Sequence, residues 1–343
     1  MKQQAKIDVA VLLLFFNRPE SLRQVFEAIR KARPSKLYLY QDGPRGERDM
    51  AGIEACRQVV CDDEIDWECD VQRNYQTVNA GCDPSNFNAQ KWAFSLSDKC
   101  IIFEDDSIPS VTFIRFCKEM LDRYEYDERI VMVAGFNTDE VTPNVPDDYF
   151  FTTVFSIWGW ASWRRVVDQW DEHYSFRDDA YNMHQLEALT KERRYRTTML
   201  RMSRDHRALG KAYYESIFWT SMMFNHGLAI MPTRNMINNL GSMAGADSTH
   251  YAGSLRTMPR RLRKLFTMQR YELDFPLKHP RYVIENVDYL HSNYRTNAYG
   301  HPWIKIGYSL EELWLNLRYG NFLFIWQSLK NRFVKLLGLK KYK

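Results

Sequence analysis

Two hydrophobic rhythms alternate along the first half of the chain. From Ile7 to Phe16 nearly every residue is apolar, as in a strand covered on both faces. NRPESLRQVFEAIRKA follows, with Leu22, Val25, Phe26 and Ile29 at helical spacing and Pro19 where a first-turn proline is tolerated. KLYLYQDGP reads as a second strand closed by a turn, and Glu47 to Val60 as a helix carrying Met50, Ile53 and Val60 on one stripe. Val71 to Thr77, SNFNAQKWAFSL, KCIIFEDD, FIRFCKEMLDRY and IVMVAG continue as strand, helix, strand, helix and strand. The alternation predicts an α/β fold, a mainly parallel twisted sheet flanked by helices that binds ligands at the carboxyl ends of its strands.

The second half is less regular. YFFTTVF reads as a strand, GWASWRRVVDQW as the approach to a helix, and His184 to Leu209 as a charged helical region. ESIFWTSMMFN has the all-round apolarity of a buried helix, and GLAIMP that of a short strand. After NNLGSMAGADSTH the pattern weakens and Pro259, Pro276, Pro280 and Pro302 interrupt it. The expected division is a domain over 1–255 in two halves, 1–135 and 136–255. A helical C-terminal extension over 256–343 follows.

Composition adds little to this picture until charge is placed. Hydrophobic residues at 45% and charged residues at 26% of 343 fit a globular protein, with 20 Tyr, 20 Phe and 10 Trp making it rich in aromatics. The formal charge of +4 hides an asymmetry, because no Asp or Glu follows Glu312 and seven of the 47 basic residues do. The body is mildly acidic, so nucleic acid is not an expected partner. The apolar run near the N-terminus ends at Asn17, Arg18 and Pro19 without a small-residue cleavage site and reads as a strand, giving the expectation of a cytoplasmic protein. The six cysteines include no C-x-x-C pair, and reduced thiols are expected.

The candidate chemistry sits at strand ends. CIIFEDDSIP drives an apolar run into Glu104, Asp105 and Asp106. Three adjacent carboxylates repel one another and require a compensating cation or open solvent. Such an oxygen-rich group suits Mg²⁺ or Mn²⁺ on a substrate diphosphate, or equally a solvated turn ahead of the next helix. Arg18 and Asp42 end two other strands on the same edge, and Asp42 also begins an Asp-Gly turn. TVNAGCDPSNFNAQKWAF places Asn79, Gly81 and Ser85 in a loop before a helix, where backbone N–H groups and Lys91 could meet phosphate. VFSIWGWASWRR clusters Trp158, Trp160 and Trp163 around Gly159, as sugar-stacking faces or as core. Glu215 heads an otherwise apolar helix, where burial would raise its pKa toward that of a general base and exposure would leave it a first-turn acid favoured by the helix dipole.

FNRPESLRQVF, YLYQDGP and the E-D-D strand, in that order, resemble glycosyltransferases of the GT-A fold, in particular the N-acetylglucosaminyltransferase I type and its bacterial relatives. The resemblance spans about Ile7 to Tyr251, and it implies that 1–135 is a nucleotide-sugar-binding half and 136–255 an acceptor-side half. It implies that Asp106 binds Mn²⁺ or Mg²⁺ on the donor diphosphate, with Glu104 and Asp105 toward ribose or sugar. It also implies that Arg18 and Asp42 line the nucleotide pocket and that Trp158, Gly159 and Trp160 lie on the acceptor side. His250 would complete the metal site. Glu215 departs from the Asp that such relatives carry as base. The implied activity is transfer of a sugar from a nucleotide-diphospho-sugar, a UDP-sugar, to a hydroxyl of a glycan or lipid-linked glycan, with inversion. The competing readings are a sugar-phosphate nucleotidyltransferase, although FNRPE lacks the glycine of a nucleotide loop, and a non-catalytic glycan-binding or membrane scaffold. From Asn321 the tail mixes Phe322, Leu323, Trp326 and Phe333 with lysines and arginines, which suits an interfacial helix on an anionic membrane or a helix docked on protein.

Overall fold

The computed structural model describes residues 2–189, 192–241 and 255–336. Its first half runs β1 (Ile7–Phe15), α1 (Pro19–Ala32), β2 (Pro34–Gln41), α2 (Glu47–Val59), β3 (Asp70–Tyr75), α3 (Cys82–Leu96) and β4 (Lys99–Glu104). β1 is buried from Val9 through Phe15, as its unbroken apolar run requires. α1 turns Leu22, Val25, Phe26 and Ile29 inward and stops at Arg33, whose left-handed conformation lets its N–H return to the Ile29 carbonyl.

β5 (Ser107–Pro109), α4 (Val111–Arg123), β6 (Ile130–Ala134), β7 (Tyr149–Thr152), β8 (Trp160–Trp163) and α5 (Arg164–Val167) come next. Then follow α6 (Ala180–Leu189), α7 (Arg193–Leu209), α8 (Tyr214–Phe224), β9 (Leu228–Pro232) and β10 (Ile237–Asn239). WASW is thus a strand where the sequence suggested the approach to a helix, and the helix after it has only four residues. All four residues of β8 are buried, and it is hydrogen-bonded between β4 and β6.

Among the described residues the main sheet has the order β3-β2-β1-β4-β8-β6-β9-β7. β3, β2, β1 and β4 are parallel neighbours, β8 is antiparallel to both β4 and β6, and β7 is antiparallel to β9. The sheet is therefore mainly parallel, as expected. Leu14 pairs with both Tyr40 and Glu104, so β1, β2 and β4 end level with one another. The chain leaves β1 toward β2 on one side and later places β4 on the other, which makes the β1/β4 boundary the switch point where parallel sheets open a crevice. β5 and β10 form a separate antiparallel pair directly after that crevice.

The C-terminal extension is stitched back onto the domain. The Tyr271 N–H reaches the Asn235 carbonyl at 2.8 Å, and Glu272 accepts from the Val111 and Thr112 N–H groups, occupying the free donors at the start of α4. α9 (Arg260–Lys264) precedes this segment and α10 (Val287–Thr296) follows it, with Tyr289 packed 4.9 Å from Phe150 of β7. α11 (Pro302–Arg318) and α12 (Phe322–Leu336) complete the described chain. The cysteines are free thiols, and no described helix is long and apolar enough to cross a membrane.

Candidate active site

At the β1/β4 boundary lies a cleft of 280 Å³ lined by Phe16, Arg18, Tyr40, Asp42 and the acids Glu104, Asp105 and Asp106, among others. The compensating cation that three adjacent acids require is supplied by the protein. One Arg18 terminal nitrogen donates to Asp105 and the other to Asp106 Oδ2 at 3.1 Å. The side chains of Asp105 and Asp106 are only 3% and 6% exposed, so removing Arg18 would leave two carboxylates far from water. Burial works against the charge on Arg18, but Asp105 and Asp106 outweigh it and its pKa rises above the ordinary value. The Phe16 N–H also donates to Asp105, at 3.2 Å. Even so, burial pushes Asp105 up to about 6 against the pull of Arg18.

Asp42 organises the opposite wall. Its two oxygens accept from the N–H groups of Gly43, Ala80 and Gly81 and from the Asn79 amide, all at 2.9–3.1 Å. Turn and cleft roles therefore coincide in one residue. Gly81, at φ 86°, is the residue before α3 and brings its N–H to Asp42 in a conformation that favours glycine. Burial raises Asp42 above the usual carboxylate range, while the three backbone N–H groups oppose it. On the first turns of α3, Ser85 and Asn86 are buried against the same cleft, and the Asn86 side-chain amide oxygen has no hydrogen-bond partner among the described residues.

α8 stands beside the cleft, joined to it through Glu104, and none of its residues is part of the lining. Glu215 lies in its first turn, and burial, then the neighbouring charge of Asp83, pushes its pKa up to about 7. Glu104 is held well above its ordinary value by burial and by Asp106, Asp105 and Glu215, which places all four carboxylates in one electrostatic neighbourhood. Tyr214 is fully buried and its hydroxyl donates to Glu104 Oε1 at 3.4 Å, tying α8 to the end of β4.

Not every expected residue arrives here. Lys91 does not line the cleft: it points away along α3 and donates to the Val167 carbonyl at 3.3 Å. Trp160 is a core residue of β8, 1% exposed and packed on Phe218, so it offers no face to an acceptor. Trp163 is likewise buried and donates to the Leu121 carbonyl. Trp158 is partly exposed and sits between Phe136, edge-on at 4.6 Å, and Phe266, tilted at 5.3 Å. Gly159 has φ 66°, and a Cβ there would lie 2.5 Å from Ile237 of β10. Its role is close packing. His250 lies outside the described residues.

Sequence reasoning missed the β5/β10 clasp. Asn239 donates to Asp106 Oδ1 at 3.2 Å, and the Leu240 N–H donates to the Asp106 carbonyl at 2.8 Å. A Cβ on Gly241 would stand 2.7 Å from Asp106 Oδ2. The NNLG stretch was visible, but its contact with Asp106 crosses 133 positions of sequence.

No protein-family model matches the sequence, and a comparison with curated proteins gave no match. Among solved structures, the chain is similar to mouse xyloside xylosyltransferase 1 in its apo form, at TM-score 0.33 and 13% identity over 64% of this chain and 83% of that one. It is similar to the inositol-1-phosphate CTP transferase from T. maritima, at TM-score 0.36 and 10% identity over 77% and 97%. A UDP-glucose pyrophosphorylase complexed with UDP-glucose gives TM-score 0.29 and 8% identity over 48% and 79%. Likeness of this depth leaves function to be decided by the site's own geometry.

Proposed function

We propose that the chain is a GT-A-type glycosyltransferase that moves a sugar from a nucleotide-diphospho-sugar, a UDP-sugar in our reading, to a glycan hydroxyl with inversion. Glu215 carries this reading: a carboxyl group raised to about 7, beside an acid cluster at the switch-point crevice, suits a general base for a hydroxyl nucleophile. A nucleotidyltransferase attacks with a phosphate monoester, whose second pKa of about 6 leaves it largely ionised at neutral pH without help. A half-buried carboxylate base would then have no task.

In the proposed reaction the Glu215 carboxylate takes the proton of the acceptor hydroxyl as that oxygen bonds to the anomeric carbon. The bond from that carbon to the donor diphosphate breaks, and the nucleoside diphosphate leaves with the electron pair. Arg18 supports the growing charge, Asp42 and the Asn79–Gly81 loop face the nucleoside, and Tyr214 holds Glu104 in place. Among the described residues no three His, Cys, Asp or Glu side chains are grouped to hold a metal by themselves. Mn²⁺ or Mg²⁺ on a diphosphate needs only one or two carboxylates, and Asp106 at the cleft fits that need. Such an ion would add positive charge at the leaving diphosphate.

Two variants test this reading. Asp106→Asn should abolish metal-dependent UDP release from a UDP-sugar, and full activity there would refute Asp106 as the ligand. Glu215→Gln should lose transfer by about 10²–10⁴-fold while still binding the donor.

A further inference from the structure

α11 has one face on the protein and, among the described residues, one exposed face. Toward the protein, the Tyr308 hydroxyl donates to the Thr296 carbonyl at 3.0 Å, Glu311 pairs with Arg260 at 3.0 Å, and Leu315 and Asn316 are buried. The other face carries Trp303, Ile306, Leu310, Trp314 and Leu317 at the spacing of one helical stripe, exposed by 82, 48, 62, 54 and 50%. At the turn between the two helices the Asn321 amide donates to Asn316 Oδ1 at 2.9 Å, and the start of α12 adds Phe322, Leu323 and Trp326, each more than 60% exposed. Exposed apolar residues scattered singly need no explanation, but a row of this length does.

Charge names the partner. From His301 to Lys343 the sequence holds eight basic and two acidic residues, so this segment contributes +6 and the remainder of the chain −2. Arg318 lies over the Trp314 ring at 5.1 Å, placing a cation at the rim of the apolar row. Tryptophans and aliphatics on one face with cations beside them suit the headgroup and acyl boundary of an anionic bilayer. A face meant for a second copy of this chain would bring +6 against +6.

We propose that α11 together with α12, rather than the tail alone, is a surface-lying attachment to anionic phospholipid. Its apolar row enters the interface while the basic residues meet the headgroups. The placement is independent of the cleft, and its test does not use transfer activity.

Full-length protein is sedimented with vesicles of phosphatidylcholine alone and of phosphatidylcholine with one-third phosphatidylglycerol. Binding is expected to the anionic vesicles only and to weaken with salt. Leu310→Glu with Trp314→Glu should lower the bound fraction by about tenfold, with unchanged circular dichroism confirming the fold, because both residues are solvent-facing. Lys330→Glu with Arg332→Glu should weaken binding without touching the apolar row on α11. Wild-type protein left in the supernatant, or either double variant binding as wild type does, overturns the proposal. So does a dimer in light scattering that the apolar variant dissolves while vesicle binding is absent.

Discussion

Glu215 and Arg18 face the same buried acids with opposite effects. With Glu215 near 7, the rate should rise with pH through about 7 as its carboxylate forms, and Glu215→Asp should shift that limb; a flat pH profile would remove it as base. Stability moves the other way. Folding raises the Glu215 pKa from 4.5 to about 7, so the native state holds its proton more tightly and the resulting stability, present below 4.5, is lost as pH rises through 7. Glu215→Gln should therefore match wild type near pH 4.5 and exceed it by about 2 kcal/mol at pH 8 in urea denaturation. Arg18→Ala should cost about 2 kcal/mol at pH 8, discounted for its partial exposure, and less at pH 5, where Asp105 can protonate. Equal costs at both pH values would contradict the Arg18 pairing. These residues were legible because each ends a strand or heads a helix, but their partners were not. Nothing in FNRPE says that Arg18 will reach the acids after another strand.

The β5/β10 clasp is the element that fixes Asp106. Gly241→Ala would force a Cβ to 2.7 Å from Asp106 Oδ2, so donor turnover should fall at least tenfold with only a small loss of melting temperature. Gly159→Ala combines a left-handed φ with a 2.5 Å clash on Ile237, and about 2–4 kcal/mol of stability should be lost. Long apolar runs and helical stripes made the early elements readable. β8 was not, because four residues of WASW give too short a window to separate strand from helix, and its burial comes from being trapped between β4 and β6. Lys91 was misplaced by helical phase: five positions beyond Asn86 it lies about 140° round α3 from the cleft wall. Trp160 reads the same in sequence whether it faces sugar or core, and the antiparallel pairing of β8 decides for core.

For the whole molecule, the level ends of β1, β2 and β4 gather residues 18, 42 and 104–106 at one crevice, and α8 brings Glu215 into the electrostatic neighbourhood of Glu104. The parallel half of this arrangement follows from alternating strands and helices, whereas the stitching by Glu272, and by Glu285 accepting from the Thr153 N–H, depends on contacts more than 130 positions apart. The two chemistries such a crevice could serve differ in the bond that breaks. The most direct measurement is phosphorus NMR of the protein incubated with Mn²⁺, an oligosaccharide mixture and a panel of UDP-sugars, with Glu215→Gln alongside. Free UDP should accumulate with at least one donor, stop when the metal is chelated, and slow at least a hundredfold in Glu215→Gln. UTP forming when pyrophosphate is added, or no UDP above the protein-free control, would contradict glycosyl transfer.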